Sequence, residues 1–295
     1  MLLLKIHFFL IYLKNIKNVS NHYFLFMWEE KMRKNFTFFK RFLTATSIFI
    51  LFVSLIGLTC GADTMVEEYS PIFYFEGEEN CFPIDTEFHI QNSYLYQKEI
   101  LSPISTSPTE TEISSYSTDI YQNYYLDNQL GTIDNYDKII SSAKNYENSN
   151  GNVVYYHIFN DNSSQTTIIQ YWMFYAFNNG ELNQHEGDWE MVQIVFSGSV
   201  PSQVGYSQHH SGQKASWDQV EKDGKHIKVY VARGSHANYL RSYSGKLGIA
   251  SDIVGNNGKV LNPNDYKLIE LETEGFVNFR GKWGEVGQDE SASIE

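Results

Sequence analysis

The chain is poor in cysteine and in arginine, and each shortage excludes a class of function. Of 295 residues two are cysteine, Cys60 and Cys81, too few for a disulfide framework. No disulfide-linked partner is expected, and Cys81, followed by Phe82 and Pro83, reads as a buried thiol. Beyond residue 41 there are three arginines, so no basic stripe exists to neutralise phosphates, and nucleic acid is excluded as a partner. A mean hydropathy of -0.36 argues against several membrane spans. No repeat of fixed period is found, which removes solenoids and propellers. Neither Ser207 nor Ser235 is flanked as Gly-x-Ser-x-Gly, so the strained serine elbow of the α/β-hydrolases has no place here. What is present is apolar and aromatic material, 42% and 16% of the chain, enough to build a core and offset the entropy of ordering it.

Charge is unevenly spread. The first 62 residues hold eight basic and two acidic groups, which leaves 14 basic against 33 acidic in the remainder, a net charge of -19. Residues 42–62 carry no charge and are mostly apolar, with Lys31, Arg33, Lys34, Lys40 and Arg41 before them and the small residues Gly61 and Ala62 at their end. That order predicts a signal peptide over 32–62 or, uncleaved, a membrane anchor. Translation is then expected to start at Met32 or Met27, with 1–31 an upstream extension. The protein is accordingly expected to be exported, either secreted or held at a membrane, with an acidic tail over 286–295.

Residues 69–84 contain short aromatic and β-branched runs that predict one or two strands. Residues 102–150 turn polar and read as a long surface excursion, with one helical pattern at Ile133, Tyr136, Ile139 and Ile140 behind a Thr132 or Asp134 cap. Five strand-like runs follow, at 152–159, 166–177, 189–196, 203–209 and 226–232, separated by Asn-, Asp- and Gly-containing turns. Close spacing without intervening long helices predicts an all-β fold, a single antiparallel β-sandwich over 63–285.

The densest chemistry lies in Gln184-His-Glu-Gly-Asp-Trp-Glu190. Asp188 and Glu190, two apart at the start of a strand, project from one face, and that face continues as Val192, Ile194 and Phe196. Two carboxylates on an apolar face are costly unless something positive lies between them. His185, brought round by a turn at Gly187, completes a candidate three-ligand set whose oxygen-rich character suits Mg, Ca or Mn better than Zn. His209 ends one strand, and Arg233, Ser235 and His236 follow another; with Trp189 they are candidate rim residues if the strand order brings them over the carboxylates. The same spacing also fits a turn cap, a solvated strand edge and a core tryptophan.

Four segments in order resemble the vacuolar protein sorting-associated protein 62 family: Gln170-Tyr-Trp-Met-Phe-Tyr-Ala-Phe-Asn178, His185-Glu-Gly-Asp-Trp-Glu190, Val204-Gly-Tyr-Ser-Gln-His-His-Ser-Gly212 and Val229-Tyr-Val-Ala-Arg-Gly-Ser-His-Ala-Asn-Tyr239. Phe279-Arg-Gly-Lys-Trp-Gly284 resembles that family's closing motif. More distantly, the His-x-x-Asp-Trp-Glu core is similar to the Gly-His-Arg-His-Asp-Trp-Glu heptad of the necrosis- and ethylene-inducing-peptide-like cytolysins, secreted β-sandwich proteins whose heptad binds a divalent metal used in engaging membrane sphingolipid. That resemblance implies metal ligands at His185, Asp188 and Glu190. The chain departs from it at Gly187, where the heptad has a second histidine, and in lacking a clear match to an upstream aspartate. Three functions stay open: a non-enzymatic, metal-dependent module binding a lipid headgroup, glycan or protein; a metal-assisted hydrolase using the same cluster; and a polar cluster that is only structural.

Overall fold

The computed structural model describes residues 64–116, 123–181, 183–209, 211–243, 246–247 and 252–285. The expected leader, start sites and acidic tail lie outside the described residues. The sheets belong to one compact unit within Glu67–Glu295. Among the described residues no helix is long and apolar enough to cross a membrane.

The first half of the described chain runs β1 (Ile72–Phe75), α1 (Thr86–Gln91), β2 (Ser93–Gln97), β3 (Ser105–Thr106), α2 (Glu110–Ser114), β4 (Tyr124–Asn128) and α3 (Asp137–Asn150). The long strands follow: β5 (Asn152–Asp161), β6 (Thr166–Asn178), β7 (His185–Ser197), β8 (Val200–Gln208) and β9 (Ser211–Ser216). Shorter strands complete the fold: β10 (Lys222–Asp223), β11 (His226–Val231), β12 (Asn238–Tyr239), β13 (Lys246–Leu247), β14 (Asp252–Ile253), β15 (Val260–Leu261) and β16 (Tyr266–Glu270). The class is all-β, as the strand-like runs predict. A six-stranded sheet in the order β16-β5-β6-β7-β8-β9 lies beside a smaller one built on β10-β11-β1-β15, to which β12 adds. A third sheet has the order β3-β2-β4.

The centre of the large sheet is the β6–β7 pair, both strands buried over nearly their whole length. Continuous burial explains why β6 reads as an apolar run, while β7 is buried as fully although its first half carries His185, Glu186, Asp188 and Glu190. Phe174 and Trp189 stand opposite each other in register, their rings 5.1 Å apart, and Trp283 packs 5.4 Å from Trp189 and 5.4 Å from Phe276. Each such ring removes enough apolar area from water to contribute about 4–6 kcal/mol before entropy is counted.

Several expectations are corrected. The pairing is mixed rather than wholly antiparallel, since β1 runs parallel to β11 and β16 parallel to β5. Residues 80–84 form no strand; the chain makes backbone bonds from Ile84 N–H to Phe174 O (3.0 Å) and from Val153 N–H to Pro83 O (3.4 Å) and enters α1, capped by Asp85, whose Oδ1 accepts from Glu87 N–H. The helix predicted from Ile133 begins at Asp137, because Tyr136 is drawn onto Phe177 (4.5 Å, 17° between planes) and neither Thr132 nor Asp134 caps it. Residues 102–150 are not simply an excursion, as they supply β3, β4, α2 and α3. Cys81 is a buried free thiol, as expected.

Candidate functional site

Asp188 lies on β7 opposite Tyr175 of β6, and both are fully buried. Its two oxygens meet two imidazoles: Oδ1 lies 3.2 Å from His185 Nε2, and Oδ2 lies 2.9 Å from His236 Nδ1. His185 Nδ1 is 2.7 Å from the carbonyl oxygen of Asn183, and since a carbonyl only accepts, Nδ1 carries a proton. Nε2 therefore meets Asp188 either as the donor of an imidazolium or as a lone pair turned toward a shared cation, the arrangement common to metal-ligating histidines. Glu190, on the same face, accepts from the Ser207 hydroxyl, which in turn accepts from Met191 N–H at 2.9 Å.

His236 is the centre of a buried network. Its ring stacks on Tyr175 at 3.8 Å with 1° between planes, and Nε2 faces Glu79 Oε1 at 3.8 Å. Burial alone would lower its pKa, but Asp188, Cys81 and Glu79 together raise it well above the ordinary value. Glu79 shows the converse: burial would raise it, yet His236 and the backbone amides of Gly234 and Cys81 hold it below the usual carboxylate range. Gly234 N–H donates to Glu79 Oε2 at 2.7 Å. A carboxylate, imidazole, carboxylate sequence of side chains is thus built into the interior.

A second network adjoins it. Asp252 accepts from Ser235 Oγ–H (2.6 Å) and Tyr239 O–H (2.7 Å) and lies 2.8 Å from His209 Nε2. The Asp252 hydrogen bond raises His209 against the lowering effect of burial, while Asp252, which burial would raise, is lowered by His209 and Ser235. Ser235 gives its proton to a carboxylate and not to an imidazole, so no serine–histidine relay is formed.

Above these networks opens a polar cavity of about 280 Å³, walled by Glu78, Asn179, Glu181, Arg233, Gly234 and Asp252 among others. Arg233 reaches across to Glu78 and lies 3.6 Å from Glu76. The turn after β11 comes close because residue 234 is glycine, with φ 73° and an ideal Cβ only 2.8 Å from Asn179 Oδ1. Positive φ values at non-glycine residues gather here, at Asn183, His209 and His236, three of the six such residues among those described. Backbone held in such conformations needs surrounding structure to enforce it and concentrates at functional sites.

His185, Asp188 and His236 are therefore brought together, Glu190 on the same strand face is engaged by Ser207, and His209 and Ser235 share Asp252. Arg233 reaches the cavity wall. His236 is floor rather than rim, being fully buried. Trp189 does not reach the rim either: it is fully buried in the aromatic core with Phe174, Phe276 and Trp283. Sequence reasoning missed Glu79, which lies just past β1 and reaches His236 because β1 pairs with β11 in the register Phe75↔Val231. The run Glu76-Gly-Glu-Glu79 was the signal available, and strand order was the missing link. Asp252 was missed for the same reason. A further acidic group, Asp127, Glu186 and Glu285, also went unread; its ligand atoms all lie within 4.8 Å of one another.

Among solved structures, one described as a toxin fold for microbial attack and plant defense is similar to this chain with a TM-score of 0.37 at 11% identity, over 70% of this chain and 73% of that one. NLPPya in complex with mannosamine gives 0.35 at 12% identity, over 70% and 72%. Vacuolar protein sorting-associated protein TDA6 of Saccharomyces cerevisiae, a provisional description, is 25% identical over 213 residues. The match covers 59% of this chain, and the chain spans 45% of the length of that relative. The family profile described as vacuolar protein sorting-associated protein 62 matches residues 59–259, two thirds of the sequence and the whole region of β5 to β12, and the chain belongs to that family.

Proposed function

We propose that this protein is an exported, non-enzymatic binding module that takes a polar, amine- or hydroxyl-bearing ligand, a glycan or a lipid headgroup, in the cavity beside Arg233. The observation that carries this reading is that Gly234 and Asp252 belong both to the cavity wall and to the buried networks beneath it. The wall is thereby fixed before a ligand arrives, which reduces the entropy lost on binding. Glu78, Glu181 and Asp252 outnumber the single guanidinium of Arg233, a balance that favours ligands with an ammonium or several hydroxyls. At about 280 Å³ the space suits one sugar ring or one headgroup. In this reading His185, Asp188 and Glu190 hold a divalent cation, and the tautomer imposed on His185 by Asn183 supports that role. A bound cation would also let a body of charge -19 approach an anionic surface that otherwise repels it.

Titration of glucosamine and of phosphoethanolamine into the full chain, with and without EDTA, tests the reading. Saturable binding that Arg233→Ala or Asp252→Asn weakens by about tenfold or more is expected, with no turnover. Binding untouched by either substitution, or hydrolysis that depends on Asp188, would overturn it.

A further inference from the structure

A second acidic cluster has no counter-charge among the described residues. Asp127 lies on β4, Glu186 near the start of β7, and Glu285 just beyond the closing aromatic segment. The closing segment is laced to β4 by Lys282 N–H to Tyr124 O (2.9 Å) and Leu126 N–H to Lys282 O (3.0 Å), and to β7 by Glu186 N–H to Glu285 O (3.0 Å). Gly284 permits this approach, since an ideal Cβ there would sit 2.2 Å from Glu186 Cβ.

Glu186 is 2% exposed. Its Oε2 accepts from Asn128 N–H (3.0 Å) and Glu285 N–H (3.1 Å), whereas its Oε1 is buried with no hydrogen-bond partner among the described residues. Protonation does not resolve this, because a carboxylic O–H at that oxygen would itself need an acceptor. Among the described residues, the charged side chains that act most on Glu186 are Asp127 and Glu285, both of its own sign. An orphaned buried oxygen between two like charges is the situation a bound cation relieves.

We propose that Asp127, Glu186 and Glu285 bind a hard divalent cation, calcium in preference to magnesium, that pins the closing segment to β4 and β7. Donor number sets the preference. The ligand oxygens lie within 4.8 Å of one another, close enough to converge on one ion, and three carboxylates exceed the one or two by which magnesium is ordinarily held, whereas calcium takes six to eight oxygens. The donors are all oxygen, which also disfavours zinc. The ion holds Trp283 and its neighbours against the core through the backbone that carries Glu285. This site uses none of the side chains of the His185 cluster and stands independently of it.

Calcium chloride alone, and terbium as its luminescent substitute, are titrated into the full chain as wild type, Asp127→Asn, Glu285→Gln and His185→Ala. Asp127 and Glu285 are not core residues, so their variants retain the fold. Calcium raises the wild-type melting temperature, and terbium emission excited through tyrosine appears, because Tyr125 lies close enough to feel both Asp127 and Glu285. Asp127→Asn and Glu285→Gln each weaken both signals about tenfold or more, while His185→Ala keeps the tyrosine-excited emission. Equal calcium affinity in wild type, Asp127→Asn and Glu285→Gln, or no response of wild type to about 1 mM calcium, overturns the proposal.

Discussion

Glu186 and Asp188 are two residues apart on one strand, both carboxylates and both buried, yet they meet opposite surroundings. Asp188 is faced by two imidazoles, one of them held between Asp188 and Glu79. Glu186 is faced by two more carboxylates, and burial followed by those neighbours pushes its carboxyl up to about 8. The same residue class at nearly the same place thus has imidazoles of the fold beside it in one case and further carboxylates in the other. A buried acid is informative about function through its partners, not through its burial.

Removing the internal counter-charge gives the largest expected effect. Asp188→Ala leaves His236 and His185 without their shared carboxylate and costs about 3–5 kcal/mol in urea unfolding. A loss under about 1 kcal/mol would mean that Asp188 opposes neither imidazole. Next is the residue that separates the two acids. Gly187 has φ 64°, and an ideal Cβ there would lie 2.4 Å from Trp283 O, so Gly187→Ala costs about 2–4 kcal/mol by the same assay. It also lowers the protection of backbone amides around Trp283 from hydrogen exchange.

A smaller effect comes from His209 and Asp252. His209 is raised, so its contribution is complete below its ordinary value near 6.5 and is lost as pH rises through the raised value; Asp252 is lowered, so its contribution is lost as pH falls below about 3.8. The pair therefore stabilises most between those limits, by about 0.5–1 kcal/mol given that His209 is partly exposed. Stability of His209→Gln measured against pH loses this decline above pH 6.5, and an unchanged profile would remove the pair from the account. The smallest effect is at Leu101, 99% exposed on the β2–β3 connection, where Leu101→Ser changes stability by less than about 0.5 kcal/mol.

The long strands were legible because each carries its own apolar run and its own turn residues, and Asp188 and Glu190 because two-residue spacing fixes a shared face. What brings Glu79 to His236 is a parallel pairing between strands some 150 residues apart, which no local pattern encodes. Tyr136 looked helical by spacing and was claimed instead by Phe177, a contact that outweighs one more turn of helix. Trp189 reads from the sequence either as a rim residue or as a core tryptophan, and since alternate side chains of a strand face opposite ways, its face is the aromatic core. Glu186 read as a spacer in a motif; its meaning depends on Asp127 and Glu285, one on β4 and the other at the end of the described chain.

The contrast between the two acids is tested most directly by anomalous diffraction from crystals of the full chain soaked in terbium. An anomalous peak bounded by oxygens of Asp127, Glu186 and Glu285 is predicted, and it disappears in Glu285→Gln. A soaked crystal with no peak at that position, and Glu186 Oε1 bonded instead to a group of the protein, would contradict the account.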